Sequence, residues 1–287
     1  MGDIVEMKLI RDLTELKNEV KGVKSEGQSI GLVPTMGFLH EGHLSLLREA
    51  RKQTDYVVMS IFVNPIQFGR GEDYEDYPQD LEGDRKKAAE EGCDLIFYPE
   101  VRAMYPPDYL TYVNVEEITE VLCGASRPVH FRGVTTVVNK LFNLVEPDKA
   151  YFGQKDAQQA LVIKKMTEDL NMNVEIVVCP TVREDDGVAM SSRNKYLHPE
   201  ERKAARIIYS TLLAAREKII AGERNAEVLR KFMWQNLSQE PLAAPDYVEI
   251  VDKKKLQKVD QIQEPVLLAL AVKFGQARLI DNLLVEV

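Results

Sequence analysis

Cysteine is scarce in this chain of 287 residues: Cys93, Cys123 and Cys179 are scattered, odd in number and without a C-x-x-C spacing. That excludes a disulfide framework and fits a reducing compartment. Long apolar runs are missing as well; none approaches the ~18 residues that a membrane-spanning helix needs. The opening residues, Met1 to Lys8, lack both the basic start and the apolar stretch of a secretory signal. Glu6 sits where myristoylation at Gly2 would ask for Ser or Thr. Positive charge is in deficit, with 37 Lys and Arg against 46 Asp and Glu for a net charge of -9. No global field would draw such a chain to nucleic acid or to an anionic membrane, so any polyanion must be held by a local cluster of donors. The expectation is a cytoplasmic protein with neither a nucleic-acid nor a membrane partner.

What is present is ordinary globular material, 45% hydrophobic and 29% charged, in a chain long enough for one large domain or two modest ones. No internal repeat or low-complexity tract interrupts it. The first two thirds alternate strands with helices. Ile30 to Pro34 is a short apolar run, followed by a helical pattern with Leu44, Leu47 and Ala50 on one face. Tyr56 to Val63 and Asp94 to Tyr98 read as strands buried on both faces, with a charged helix from Asp80 to Glu91 between them. A helix follows from Val134 to Val145, then a strand at Ala150 to Phe152, a helix bearing Ile163, Met166 and Leu170, and a strand at Val174 to Val178. This alternation predicts an α/β fold, a Rossmann-like parallel sheet with helices on both faces.

The tail changes character after the polar turn Arg183 to Gly187. Two amphipathic helices, His198 to Ala221 and Asn225 to Leu237, precede three strand-like segments at Tyr247 to Val251, Val266 to Phe274 and Arg278 to Val287. Helices followed by consecutive strands predict a smaller C-terminal α+β domain. The expected division is residues 1–185 and 186–287.

Two of the four histidines stand three apart in His40-Glu-Gly-His43, at the end of the first predicted strand and the opening of the next helix. In an open α/β sheet ligands bind there, and a helix N-terminus offers unpaired N–H groups and partial positive charge to a phosphate. Gly37 and Gly42 allow close approach of backbone to ligand. The alternative is a pair of surface or capping histidines. The zinc-protease motif H-E-x-x-H does not fit the spacing, and the Walker A and G-x-G-x-x-G patterns are absent. H-x-G-H is instead the signature of the nucleotidylyltransferase superfamily, whose histidines stabilise charge as the α-phosphate of ATP is attacked.

Other segments supply candidate partners. Gly153-Gln154-Lys155-Asp156 follows a predicted strand; Lys155 can pair with phosphate and Asp156 can accept from ribose hydroxyls. Met190-Ser191-Ser192-Arg193 resembles the K-M-S-K-S loop, with Arg193 suited to pyrophosphate; a helix-capping Ser-Ser is the plain alternative. Asn64 and Gln67 place two amides at the same sheet edge, and Gln159 can add a third, enough to read a small polar substrate. Asp80 and Asp84 share a helical face and read as solvated charge rather than a metal site.

Together Val33 to His43, Ile61 to Phe68, Glu72 to Pro78, Phe131 to Val134, Tyr151 to Asp156 and Met190 to Asn194 occur in the order and spacing of one family. Over residues 30 to 200 the chain resembles the pantoate–β-alanine ligase (pantothenate synthetase) family of the H-x-G-H superfamily. The resemblance implies Mg²⁺-dependent use of ATP, the substrates pantoate and β-alanine, a C-terminal domain that closes as a lid, and a homodimer. It assigns ATP to Met36, Gly37, His40, Gly42, His43, Gly153, Gln154, Lys155, Asp156, Val182 and Met190 to Arg193, and its catalytic histidine falls on His43; His40, Lys155 and Arg193 join it as catalytic candidates on the chemistry of their side chains. Gln67 is implied for pantoate and β-alanine and Gln159 for pantoate; the direct metal ligands stay open. The chain departs from the family at Gln154, where Glu is common, and at Val129, where Gly is usual. Two other readings share some of these features: a nucleotidylyltransferase with a phosphate-ester acceptor, and a silent ATP-sensing module.

Overall fold

A computed structural model describes residues 7–287; the readings made on Gly2 and Glu6 lie outside them. In chain order the elements are β1 (Lys8–Ile10), α1 (Leu13–Ser25), β2 (Ile30–Thr35), α2 (Glu41–Gln53), β3 (Tyr56–Ile61), α3 (Leu81–Glu90), β4 (Leu95–Phe97), α4 (Val101–Met104), α5 (Cys123–Ser126), α6 (His130–Val145), β5 (Lys149–Gly153), α7 (Ala157–Asp169) and β6 (Glu175–Cys179). There follow α8 (Pro199–Ala204), α9 (Arg206–Ile220), α10 (Ala226–Ser238), β7 (Ala244–Asp252), β8 (Val266–Phe274) and β9 (Ala277–Val285). They fall into two compact units. One contains residues 7–115, 127–153 and 159–180; the other contains residues 116–126, 154–158 and 181–287.

The first unit is built on a six-stranded parallel sheet in the order β1-β4-β3-β2-β5-β6. Side chains alternate across it, as a period of two requires. Ile30, Leu32, Val58, Leu95 and Phe97 pack to one side with Leu16, Val20 and Val23 of α1 and Val134, Val138 and Leu141 of α6. Val33, Val57, Met59, Ile61 and Ile96 pack to the other with Leu46, Leu47 and Ala50 of α2 and Ala88 of α3. Burial on both faces explains the unbroken apolar runs of β2 and β3. From β2 the chain steps outward to β3 and β4 on one side, and β5 and β6 lie on the other. The carboxyl ends of β2 and β5 therefore flank the switch point where open α/β sheets bind ligands.

In the second unit β7, β8 and β9 form an antiparallel sheet, β8 in the middle and buried almost throughout. Leu268, Leu270 and Val272 of β8 share a core with Ile208, Leu212 and Ala215 of α9 and Leu229, Met233 and Leu237 of α10. The α/β class with a smaller α+β portion is thus the expected one.

Three details differ from the sequence expectation. The edge strand β1 and the amphipathic helix α1 precede the first expected strand. The helix expected over residues 198–221 is broken after Ala204, although Ala205 keeps helical angles of φ -58° and ψ -20°. Leu170 lies past the end of α7 and is 52% exposed, because Asn171 turns left-handed at φ 51° and ends the helix.

Candidate active site

β2 delivers the chain to a tight bend in which Gly37 and Phe38 both have left-handed backbone, at φ 87° and φ 53°. Glycine takes this at no steric cost, but phenylalanine does not. The bend turns His40 into the N-cap of α2. Gly42 N–H donates to His40 Nδ1 at 3.2 Å, and His40 N–H donates to His43 Nδ1 at 3.4 Å, a reciprocal capping box. The ring centroids lie 4.1 Å apart. The capping alternative is therefore realised. A ring whose Nδ1 accepts carries its N–H on Nε2, so this geometry makes each imidazole an Nε2–H donor at the positive end of a helix.

What holds this bend is a residue that the sequence alone assigns to solvated surface. Asp84 of α3 is 1% exposed. Its carboxylate accepts from Phe38 N–H at 2.8 Å and Leu39 N–H at 2.7 Å. Lys87, one turn on, donates to Leu39 O at 2.7 Å. One face of α3 thus grips both polar edges of the loop before His40. Burial raises the Asp84 carboxyl above the ordinary range, opposed by the N–H groups of Leu39 and Phe38. The solvated reading fails because α3 lies against the loop. Asp80, its companion in that reading, N-caps α3 through Gly83 N–H at 3.0 Å.

Past β3, Asn64 and Gln67 are both buried, at 1% and 8% exposure. Asn64 Nδ2 donates to Gly133 O and to Gln67 Oε1, each at 3.1 Å, and its Oδ1 accepts from Tyr105 at 3.0 Å. Gln67 Nε2 reaches Met36 Sδ at 3.0 Å. Met36 and Gly37, with Asp84, Phe62, Gln79 and Arg11, are among the residues lining a cavity of about 310 Å³. Met36, Gly37, His40, Gly42, His43, Asn64, Gln67, Gly153 and Gln159 all belong to the first unit. Gln159 is half-buried on α7. Val129, one of the two departures, precedes α6 and is 49% exposed, with no side-chain cap.

The remaining candidates belong to the second unit. Gln154, Lys155 and Asp156 form a 3-10 turn, and Lys155 Nζ lies 3.5 Å from Asp156 Oδ1. The turn is fixed by Asn282 of β9, which donates to Gln154 O at 2.9 Å and Lys155 O at 2.8 Å and accepts from Gln154 Nε2 at 2.9 Å. Sequence gave no sign of Asn282, an amide in an apolar strand 127 residues beyond Lys155. Val182 and Met190 face each other through Met190 N–H to Val182 O at 3.0 Å. Ser191 Oγ accepts from Arg193 N–H at 3.3 Å, capping the turn Ser192–Tyr196, so the capping alternative is realised here as well. Among the described residues no group of three or more His, Cys, Asp or Glu is placed to hold a metal ion, and no helix is long and apolar enough to cross a membrane.

A family model described as pantoate-beta-alanine ligase matches residues 8–284. Pantothenate synthetase of Acetivibrio thermocellus is 60% identical, with 98% of this chain and 100% of the relative covered. That of Pelotomaculum thermopropionicum is 58% identical over 96% of this chain and 98% of its own length. Among solved structures, pantothenate synthetase of Thermus thermophilus superposes with a TM-score of 0.92 at 46% identity, covering 96% of this chain and 99% of that one. Pantoate-beta-alanine ligase of Francisella tularensis, solved as a complex with beta-gamma ATP and beta-alanine, gives a TM-score of 0.79 at 35% identity, with 97% of each chain covered. Matched along nearly its whole length at such identity, the chain belongs to the pantoate–β-alanine ligase family.

Proposed function

We propose that this chain condenses pantoate with β-alanine, using ATP and releasing AMP and pyrophosphate. An unactivated carboxylate does not acylate an amine at neutral pH, because its leaving group would be oxide. A pantoate carboxylate oxygen therefore attacks the α-phosphorus of ATP; the bond to the bridging oxygen breaks and pyrophosphate leaves, giving pantoyl adenylate. The β-alanine nitrogen then attacks the acyl carbon, the bond to AMP breaks, and the amine gives up a proton. The free pKa of that amine is roughly 10 by analogy with Lys, so the site must take a proton as well as align the reactants.

The observation that carries this reading is the H-x-G-H turn. Both imidazoles are fixed through Nδ1 by backbone N–H groups, which presets two Nε2–H donors at the start of α2. Donors held in this way stabilise charge developing on the phosphoryl oxygens without reorganising. His43 is the catalytic residue of the proposal, with His40 beside it. Lys155 acts on the same transition state, Arg193 on pyrophosphate, Gln67 on pantoate and β-alanine, and Gln159 on pantoate. Met36, Gly37, Gly42, Gly153, Gln154, Asp156, Val182, Met190, Ser191 and Ser192 complete the ATP site. Mg²⁺ belongs to the proposal as the counter-ion that would accompany the ATP substrate. So do a lid role for residues 186–287, a homodimer, and a cytoplasmic location.

The deciding assay is exchange of labelled pyrophosphate into ATP. Exchange that requires pantoate and proceeds without β-alanine is expected. Exchange driven by a phosphate ester would make the chain a nucleotidylyltransferase, and ATP binding without turnover of any acid would make it a sensor.

A further inference from the structure

The hydrogen-bond polarity around Gln67 can be read from a single fixed point. Gly133 O, a backbone carbonyl in the first turn of α6, can only accept. The Asn64 atom 3.1 Å from it is therefore the amide nitrogen, which leaves Asn64 Oδ1 facing the Tyr105 hydroxyl at 3.0 Å. The same Asn64 nitrogen lies 3.1 Å from the Gln67 side chain, so the Gln67 atom there must be oxygen. Gln67 is thereby forced to turn its NH₂ the other way, toward the Met36 thioether, a weak acceptor that competes poorly for a donor. Its backbone is held too: Gln67 O lies 3.1 Å from His130 Nδ1.

Two further features keep this orientation rigid. A Cβ on Gly133 would stand 2.5 Å from Gln67 Cα and from Ile66 O, so only glycine lets α6 approach closely enough for its carbonyl to reach Asn64. Tyr105 is itself wedged, with its ring 6.1 Å from Phe62 and 5.1 Å from Tyr109. Burial first, then Tyr109 and Tyr112, push its phenol well above the ordinary range, so it remains a donor at any working pH.

We propose that Tyr105 and Asn64 are positioning residues that lock Gln67 as a donor, so that its amide selects ligands presenting a carboxylate or hydroxyl oxygen to it. Both act through Gln67; Asn64, which the sequence offers as a substrate contact, has both its amide atoms engaged within the protein instead. The inference rests on the reading of Gln67 as a contact to pantoate and β-alanine. Tyr105→Phe removes one anchor with almost no change in volume. Asn64→Asp is more severe, because it sets an oxygen against Gln67 Oε1 and Gly133 O.

The test compares wild type with Tyr105→Phe, Asn64→Asp and Gln67→Ala in pantoate-dependent pyrophosphate exchange and in the full reaction, with melting temperatures recorded alongside. Tyr105→Phe is expected to raise KM for pantoate by roughly 2- to 10-fold, the range for one neutral hydrogen bond. Its KM for ATP and its kcat should stay within about twofold of wild type. Asn64→Asp should raise KM for pantoate further, and if it does not fold, Tyr105→Phe alone decides. If Gln67→Ala raises KM while Tyr105→Phe and a folded Asn64→Asp do not, the positioning role is wrong and Gln67 keeps its place. If Tyr105→Phe lowers the melting temperature and kcat with KM unchanged, Tyr105 is only structural and the proposal falls. If Gln67→Ala itself leaves both substrate KM values unchanged, the reading of Gln67 fails, and the proposal with it.

Discussion

At the scale of single residues, the imidazole donors and the carboxylate that aims them make separable predictions. His43→Ala removes a preset donor and is expected to lower kcat by ~10²–10³; an unchanged rate would take His43 out of the mechanism. Asp84→Asn leaves the shape intact but turns an NH₂ toward one of the two N–H groups that Asp84 now accepts from. The strained backbone at Phe38, a conformation that costs on the order of 1–3 kcal/mol, then loses half its support. We expect kcat to fall ~10–10²-fold through misplacement of His40 and His43, with hydrogen exchange at Phe38 and Leu39 speeding up. Normal turnover in Asp84→Asn would show that the loop holds its shape without the carboxylate. Asp84 shows why part of the site was hidden in the sequence: a carboxylate four residues from another on a charged helix carries no mark of being buried. The paired histidines and their glycine were legible because rarity and position in the strand–helix alternation both singled them out.

At the scale of elements, periodicity revealed most of the sheet and almost none of what fastens it to the site. β2 and β3 are continuous apolar runs and could be read directly; β1 is three residues long with an exposed Lys8, too short to show a period. The close approach of α6 to the turn after Asn64 depends on one missing side chain. Gly133→Ala would place its Cβ 2.6 Å from Gln67 N as well as against Ile66 O, and backbone cannot yield as a side chain can. A loss of about 1–3 kcal/mol in unfolding free energy is expected, together with a raised KM for pantoate, measured by denaturant unfolding and steady-state kinetics. The segment carrying Met190 to Arg193 is fastened by charge. Arg202 bonds Asp186 at 2.9 Å and Glu184 at 2.8 Å, Arg206 bonds Asp186 at 2.8 Å, and Arg183 pairs with the buried Asp281 at 2.6 Å. Arg202 above all, then Val188 N–H and Arg206, hold the Asp186 carboxyl down at about 2 against the opposing effect of burial. A depressed carboxyl contributes stability that is full above its unfolded value of about 3.9 and is lost as pH falls through its folded value. The stability gap between wild type and Asp186→Asn should therefore shrink between pH 4 and pH 2, by at most ~2 kcal/mol and by nearer 1 after solvent screening. A gap that stays constant over that interval would show that the ion pairs contribute nothing.

At the scale of the whole molecule, the candidate residues divide by unit: His40 and His43 belong to one, Lys155 and Arg193 to the other. This division has a thermodynamic consequence. A ligand that binds only the folded protein stabilises it by about 2.7 kcal/mol at 100 times its Kd. If a single triphosphate is held from both units, removing a group from either must weaken the protection that the ligand gives to the other. The probe is an ATP analogue whose α–β bridge cannot be broken, followed by hydrogen exchange at Gly42, His43 and Leu44 in the first unit. In wild type the analogue should slow exchange at these amides and raise the melting temperature. In Arg193→Ala, at the same analogue concentration, both effects should diminish, although Arg193 lies in the other unit and 150 residues from His43 in sequence. Lys155→Ala should behave likewise. Equal protection of the α2 amides in wild type and in both variants would mean that the first unit binds the nucleotide alone, and Lys155 and Arg193 would then need another explanation.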